Sequence, residues 1–458
     1  MELTAVEPTT VCHVVAMPFP GRGHINPMMN LCKLLSSTKP QILITFVVTE
    51  EWLGYIGSEA KPNNIRFASI PNVIPSERLK AADFPGFYEA VMTKMEAPFD
   101  QLLDRLQPPI TTILADIEVL WGTKVGNRRN IPVSLIWTMS ATFFSLLHFF
   151  NHFAENREFL APLQLFQDQG DEQVLNIPGI SSTLMPDLQK VGRVTDERVS
   201  KLALECVSQV RKAQYLLLTS FYELEPQAID TLQAQLPFPL YPVGPAIPYL
   251  ELENTSSTSP TDYLQWLNSQ PPESVLYISL GSFLSVSSAQ MDEIAVGLRS
   301  SGVRFLWVAR AEACRLKESC GDMGLVVPWC EQLKVLCHSS VGGFWSHCGW
   351  NSTLEAVFAG VPMLTFPLFL DQFPNSSQIV HDWKIGWKVE RDGNWMNREE
   401  IAELVQSFMN LESNEGKEIR KRARELSEVC HRAIGKSGSS ETNLHAFIRD
   451  ITLGQGLN

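Results

Sequence analysis

The sequence predicts two doubly wound α/β domains with parallel sheets facing each other across a cleft, and three observations predict them. Apolar strand-like runs alternate with helical patterns in both halves of the chain, as they do where crossover helices join parallel strands. The length of 458 residues exceeds what one ordinary core holds. Residues 244–260, GPAIPYLELENTSSTSP, are rich in Pro, Ser and Thr and separate the two alternating sets. The expected division is residues 1–243, a linker at 244–260, a second domain at 261–440, and a segment 441–458 that crosses back to the first domain. Ligands of open α/β sheets sit beyond the carboxyl ends of the strands, which here points to the cleft.

In order, the first half offers VCHVVAMPF (11–19), a helix from Asn26, ILITFVVT (42–49), IRFASI (65–70), TTILAD (111–116) and PVSLIWT (132–138). The second offers VLYISLG (275–281), FLWVAR (305–310), GLVVPW (324–329), VGGFWSH (341–347) and VPMLTFPL (361–368). These runs are short, apolar and rich in β-branched or aromatic residues, as buried parallel strands are. Ile131–Ala154 contains no Lys, Arg, Asp or Glu and is long enough to span a bilayer. Pro132, His148, Asn151 and His152 interrupt it, and it divides into a strand and an aromatic helix capped by Ser140. No stable membrane insertion is expected.

A formal charge of −13 argues against a nucleic-acid partner. The basic run KEIRKRAR at 417–424 is flanked by Glu415 and Glu425, and reads as a solvated helix face. The nine cysteines are scattered without a CxxC pair, as in reduced proteins. MELTAVEPTT has no basic region followed by an apolar run, so it is not a signal peptide. A cytoplasmic monomer is the expectation.

Chemistry concentrates between Trp329 and Gln372. The run GGFWSH-CGW-NS reads as a strand, a turn and a helix opening on Asn351 and Ser352. Such a junction aims free backbone N–H groups and a helix dipole at one point, an anion site suited to a diphosphate. Trp329, Gln332, His347–Ser352, Glu355, Gly360, Pro362, Pro367, Asp371 and Gln372 stand in an order that closely resembles the signature box of plant secondary-product UDP-glycosyltransferases. The resemblance extends over the whole chain, through the FPGRGHINP segment, the SLGS turn and the GP linker, and is greatest to the subfamily numbered 87.

The resemblance implies a GT-B type fold and an inverting, metal-independent transferase with no cofactor beyond the UDP-sugar co-substrate. It also implies a donor site. Trp329 would stack on uracil, with Cys330 beside it, and Gln332 and Glu355 would hold the ribose. Glu355 has a second reading, since Ser352-x-x-Glu355 is also a capping box. His347, Asn351, Ser352 and Ser282 would contact the diphosphate, and Gly349 would let the backbone approach it. Trp350, Asp371 and Gln372 would adjoin the sugar, with Gln372 leaning towards glucose. Leu370 departs from the larger or polar residue of many relatives, which softens that assignment.

Pro20–Pro27 follows an apolar strand and places His24 at a strand's carboxyl end, facing the cleft. A histidine there suits a general base, and Asp116 resembles the family aspartate that orients it. His13 reads as packing, and His338 as a loop brace. Gly21-x-Gly23 begins a dinucleotide fingerprint, but Asn26 occupies its third glycine place. Asp116-Ile117-Glu118 imitates an acidic metal motif with apolar neighbours and no further ligand cluster, so no metal is expected. Phe143 and Phe144 are candidates for the acceptor pocket, with core packing as their other reading. The expected activity is transfer of glucose from UDP-glucose to a small apolar molecule. Its rivals are another UDP-sugar donor, a non-catalytic UDP-sugar-binding regulator and a nicotinamide-dependent oxidoreductase.

Overall fold

Among the described residues thirteen strands form, most of them from apolar residues buried on both faces, and all pair in parallel. The computed structural model describes residues 11–155, 177–181, 184, 191, 196–252, 262–281, 286–390 and 396–453. The first sheet has seven strands: β1 (His13–Met17), β2 (Leu43–Thr49), β3 (Ile65–Ile70), β4 (Thr112–Asp116), β5 (Val133–Trp137), β6 (Tyr215–Leu218) and β7 (Leu240–Pro242), in the order β3-β2-β1-β4-β5-β6-β7. The second has six: β8 (Val275–Ser279), β9 (Arg304–Val308), β10 (Gly324–Val327), β11 (Val341–Ser346), β12 (Met363–Thr365) and β13 (Gly386–Lys388), in the order β10-β9-β8-β11-β12-β13. Both are doubly wound, as the alternating pattern predicts. Strand order reverses between β1 and β4 in one sheet and between β8 and β11 in the other. Those switch points open a crevice at the carboxyl ends of the strands.

Strands β6, β7 and β13 are absent from the sequence-based list. Two of them are three residues long, too short for a periodic signal. The region 131–154 does divide into β5 and a helix, Ala141–Glu155, whose Phe143 N–H is capped by Ser140 Oγ at 3.2 Å. Among the described residues no helix is long and apolar enough to cross a membrane.

Two apolar clusters cover the faces of each sheet. Helix Ser439–Leu453 packs Leu444, Phe447, Ile448 and Ile451 into the same cluster as β1 and β2 of the first sheet. Its Ser440 and Asn443 bond the carbonyls of Gly244 and Pro242 at 2.6 and 3.0 Å. The start of the stretch read as a linker is packed: Ala246 and Ile247 are buried, and Asn30 holds the Ala246 carbonyl at 3.1 Å. One member of the basic run is also not solvated. Arg420 is buried and donates to the carbonyls of Gly416, Gly342 and Phe408, so it pins its helix to the second sheet.

Candidate active site

Each switch point carries one cluster. After β1 the chain turns at Gly21 into helix Arg22–Thr38, which puts His24 in the first turn and faces it towards the end of β4. His24 Nδ1 lies 2.9 Å from Asp116 Oδ2 and 3.0 Å from the hydroxyl of Thr138, just past β5. An ionised carboxylate only accepts, so Nδ1 carries the hydrogen and Nε2 is left as the basic nitrogen. Burial opposes protonation of His24, but Asp116 and then Glu118 outweigh it and hold its pKa above the ordinary histidine value. Glu118, set aside in the sequence as an imitation of a metal motif, has Oε2 3.4 Å from Nε2. Phe19 packs 5.0 Å from the imidazole, and the Lys80 ammonium lies over Phe19 and Phe87.

The second cluster surrounds His347, which directly follows β11. A Cβ at Gly281 would lie 2.8 Å from the His347 ring, and one at Gly349 would lie 2.5 Å from Nε2. The need for glycine at 349 therefore includes this imidazole, not only a ligand. Burial, with Arg310 adding to it, pushes His347 down to about 4. It is neutral near pH 7. The helix begins at Trp350, with Gly349 as its N-cap and no side chain capping it, so its first N–H groups remain available to an anion. Ser352 is thus the third helical residue, and the capping-box reading of Ser352 and Glu355 does not hold. The Gln332 amide instead donates to Ser352 Oγ at 2.9 Å and to the Glu355 carboxylate, and accepts from the Tyr277 hydroxyl at 3.0 Å. Burial pushes Glu355 up to about 7, against the pull of Gln332.

Other expected residues divide between cleft and core. Trp329 is 64% exposed, which removes the core reading and leaves an indole face open for stacking. Cys330 is buried under it, with Sγ 3.4 Å from the Tyr277 hydroxyl, and Trp350 is buried beside Trp383. Both side chains are enclosed by the protein's own packing. Phe143 and Phe144 are both buried, their rings against Trp137. Packing is the role the structure gives them. Gln372 commits its amide oxygen to the N–H groups of Leu368 and Phe369 at 2.8 and 3.0 Å, so its NH2 is the end that can reach a ligand. Ser282 lies outside the described residues. His13 is buried and bonded to the Pro108 carbonyl and Thr45, and His338 braces Ser340 and Asn268.

The two clusters meet. Pro27 has no N–H, so the Gly23 carbonyl four residues earlier has no helical donor. Asn351 of the second domain supplies one at 2.9 Å. Asn375 holds Asp371 Oδ2 at 2.8 Å and the Cys348 carbonyl at 3.0 Å. Burial raises Asp371 to about 7, opposed by Asn375 and reinforced by Glu118 across the cleft. Phe84 and Phe369 close one wall, with ring centroids 5.6 Å apart. Gln378 bonds Thr142 at 2.8 Å and Glu225, whose carboxylate also caps the N–H groups of Ala141 and Thr142. Sequence reasoning missed Thr138, Gln378 and Glu225. Thr138 was discoverable, since it follows a strand's carboxyl end as Asp116 does.

The family model described as UDP-glucoronosyl and UDP-glucosyl transferase matches residues 201–431. UDP-glycosyltransferase 87A2 of Arabidopsis thaliana is 52% identical over 97% of this chain and 98% of its own length. The chain belongs to the UDP-glycosyltransferase family. Its likeness to 87A2 agrees with the subfamily that the signature box resembles. Medicago truncatula UGT71G1, solved with UDP-glucose, superposes with a TM-score of 0.80 at 26% identity, covering 97% of this chain and 99% of that one. Phytolacca americana UGT2, solved with UDP-2-fluoro-glucose and pterostilbene, gives 0.78 at 28% identity, covering 96% and 100%. The two-sheet GT-B architecture of this UDP-glycosyltransferase is therefore shared with members solved around UDP-sugars.

Proposed function

We propose that this UDP-glycosyltransferase moves glucose from UDP-glucose to a hydroxyl or carboxyl of a small, largely apolar metabolite, giving a β-glycoside. The observation that carries the reading is the meeting of two groups across the cleft. A histidine with one nitrogen fixed by Asp116 stands beside an uncapped helix N-terminus that Asn351 ties to Gly23. His24 Nε2 takes the acceptor's proton while the acceptor oxygen attacks the anomeric carbon, and UDP leaves from the opposite face. One displacement inverts the α-linked donor. Trp329 stacks on the uracil, Gln332 and Glu355 take the ribose hydroxyls, and Asp371 and Gln372 take those of the sugar. His347, Asn351 and the helix N–H groups stabilise the charge arriving on the diphosphate.

We infer that no metal takes part. One donor atom each from His24, Asp116 and Glu118 lies within 4.8 Å of the others, a spacing a cation could use. Asp116, however, is engaged at Nδ1 and Glu118 faces Nε2. Binding one ion between them would release Asp116 from the hydrogen bond that fixes the base. A second donor reading is kept open by Leu370, held at φ 43° immediately before Asp371, where it shapes the sugar end. The protein is taken to act as a cytoplasmic monomer.

The test is acceptor-dependent UDP release by the purified protein, with UDP-glucose and a panel of phenols, terpenoid alcohols and carboxylic acids. Release is expected, and His24→Ala should abolish it while leaving UDP-glucose affinity within a few-fold. Comparable release from that variant would remove His24 as the base. Release with another UDP-sugar only would replace glucose as the donor, and tight binding with no release would favour a regulator.

A further inference from the structure

His24 Nε2, the nitrogen that must meet the acceptor, faces a second carboxylate. Glu118 Oε2 lies 3.4 Å from it, on a residue only 8% exposed. The Glu118 backbone N–H bonds Asp116 Oδ1 at 3.0 Å, so one strand end positions both carboxylates, Asp116 at Nδ1 and Glu118 at Nε2. The buried rings of Tyr88, Phe19 and Phe87 pack together beside Glu118 and keep water from diluting the field. Asp371 adds a third carboxyl from the opposite domain. The nearby cation is Lys80, which donates to the Pro20 carbonyl at 2.8 Å and lies 3.6 Å from Glu77.

When His24 is protonated its Nε2–H lies between the two groups as an ion pair; in the deprotonated state that can act as a base, the carboxylate and the lone-pair nitrogen repel unless a ligand brings a proton between them. An incoming acceptor must supply that missing donor, and a donor for each group if both are to stay satisfied. A lone hydroxyl brings one O–H and leaves either Nε2 or Glu118 without a partner. A carboxylate brings none, and adds negative charge beside Asp116 and Glu118. Two hydroxyls on adjacent carbons bring two donors at a spacing close to that of Nε2 and Oε2.

We propose that Glu118 is the acceptor-selecting residue, pairing with His24 to take an ortho-diphenol or vicinal diol in preference to a simple alcohol or a carboxylic acid. The inference rests on the transferase reading above and narrows its acceptor. One hydroxyl gives its proton to Nε2 as its oxygen bonds the anomeric carbon, and the electron pair of the breaking bond leaves on UDP. The neighbouring hydroxyl keeps its proton, which it donates to Glu118. It emerges unmodified.

The test compares 4-methylcatechol, 4-methylphenol and 4-methylbenzoate with UDP-glucose, in the wild type, Glu118→Gln and Glu118→Leu. The wild type should favour the catechol over the phenol by tenfold or more in kcat/KM, chiefly through KM, with the benzoate poorest. In Glu118→Leu the catechol-to-phenol ratio should fall to within about threefold, and the benzoate should improve relative to the phenol in both variants. UDP-glucose affinity and melting temperature, unchanged within error, show that the variants are folded. Transfer with no catechol preference, or a preference that survives Glu118→Leu, overturns the role of Glu118 and leaves the transferase reading standing. Failure of all three acceptors and of the wider panel to release UDP overturns the transferase reading, and this inference with it.

Discussion

Single side chains at this site are tuned by what surrounds them, and their tuning is measurable. Trp329 exposes most of its indole beside Gln332 and Glu355, a cost tolerated where a flat ligand covers it. Trp329→Ala should weaken UDP-glucose binding by about 1–3 kcal/mol, the range for base stacking on an aromatic ring. Titration calorimetry would measure it, and an unchanged Kd would place the uracil elsewhere. Glu355 allows a pH prediction. Its pKa of about 7 falls when ribose hydroxyls donate to the carboxylate, so binding favours the deprotonated form. Affinity for UDP-glucose should therefore be highest above pH 7 and weaken by up to about tenfold on going to pH 6. His347, pushed to about 4, stays neutral over that interval and does not contribute. Glu355→Gln should flatten the profile. A profile as steep as the wild type's would assign the proton to another group, Asp371 being next.

At the scale of elements, two loop-to-helix junctions make the site, and small residues let them close. Gly281 has φ +93°, a conformation that L side chains rarely adopt, and a Cβ there would also strike His347. Gly349 has an ordinary φ of −59° but would strike the same ring. Gly281→Ala should thus combine backbone strain with displacement of His347. A loss of about 1–3 kcal/mol in stability is expected from the strain. Donor affinity should fall as well. Gly349→Ala should lose donor affinity with the smaller loss of stability, since only sterics act. Thermal melts and UDP-glucose titrations of the two variants separate these effects, and equal stability losses would contradict the role of φ. Pro27 is a third such device: by withholding a donor within its own helix, it leaves a carbonyl for Asn351 in the other domain.

Across the whole molecule, the last helix returns to the first sheet after the chain has built the second. Phe447 is 1% exposed and packs edge-on to Tyr215 and tilted on Tyr241. Phe447→Ala should destabilise the first domain by about 3–5 kcal/mol, the usual cost of a Phe-sized core cavity. The urea midpoint should shift, while kcat of the folded fraction stays near that of the wild type, because the ring packs on Tyr215 at the amino end of β6, opposite the carboxyl ends that carry the site. A loss of kcat without loss of stability would instead mean that this helix sets the cleft geometry. Gln378 of the second domain bonds Thr142 and Glu225 of the first, at the first turn of helix Ala141–Glu155.

The sequence by itself determined the fold class and the family, because those depend on local signals. Alternating apolar runs set parallel strands, and the HCGWNS junction sets a strand, a turn and a helix start in that order. Within the described residues, the proximity of His24 and Asp116 agrees with the rule that strand ends at a switch point face one crevice. Tertiary structure decided what depends on contacts remote in sequence. It placed Trp350, Cys330, Phe143 and Phe144 in packing, because burial is shared between facing elements and cannot be read from one of them. It moved the helix start to Trp350 and so freed Glu355 from a capping role. It also turned Glu118 from an apparent metal-motif residue into the neighbour of the basic nitrogen, since His24 reaches it from a helix ninety-odd residues earlier in the chain. Local periodicity encodes elements, whereas the identity of the group opposite a reactive atom is a property of their assembly.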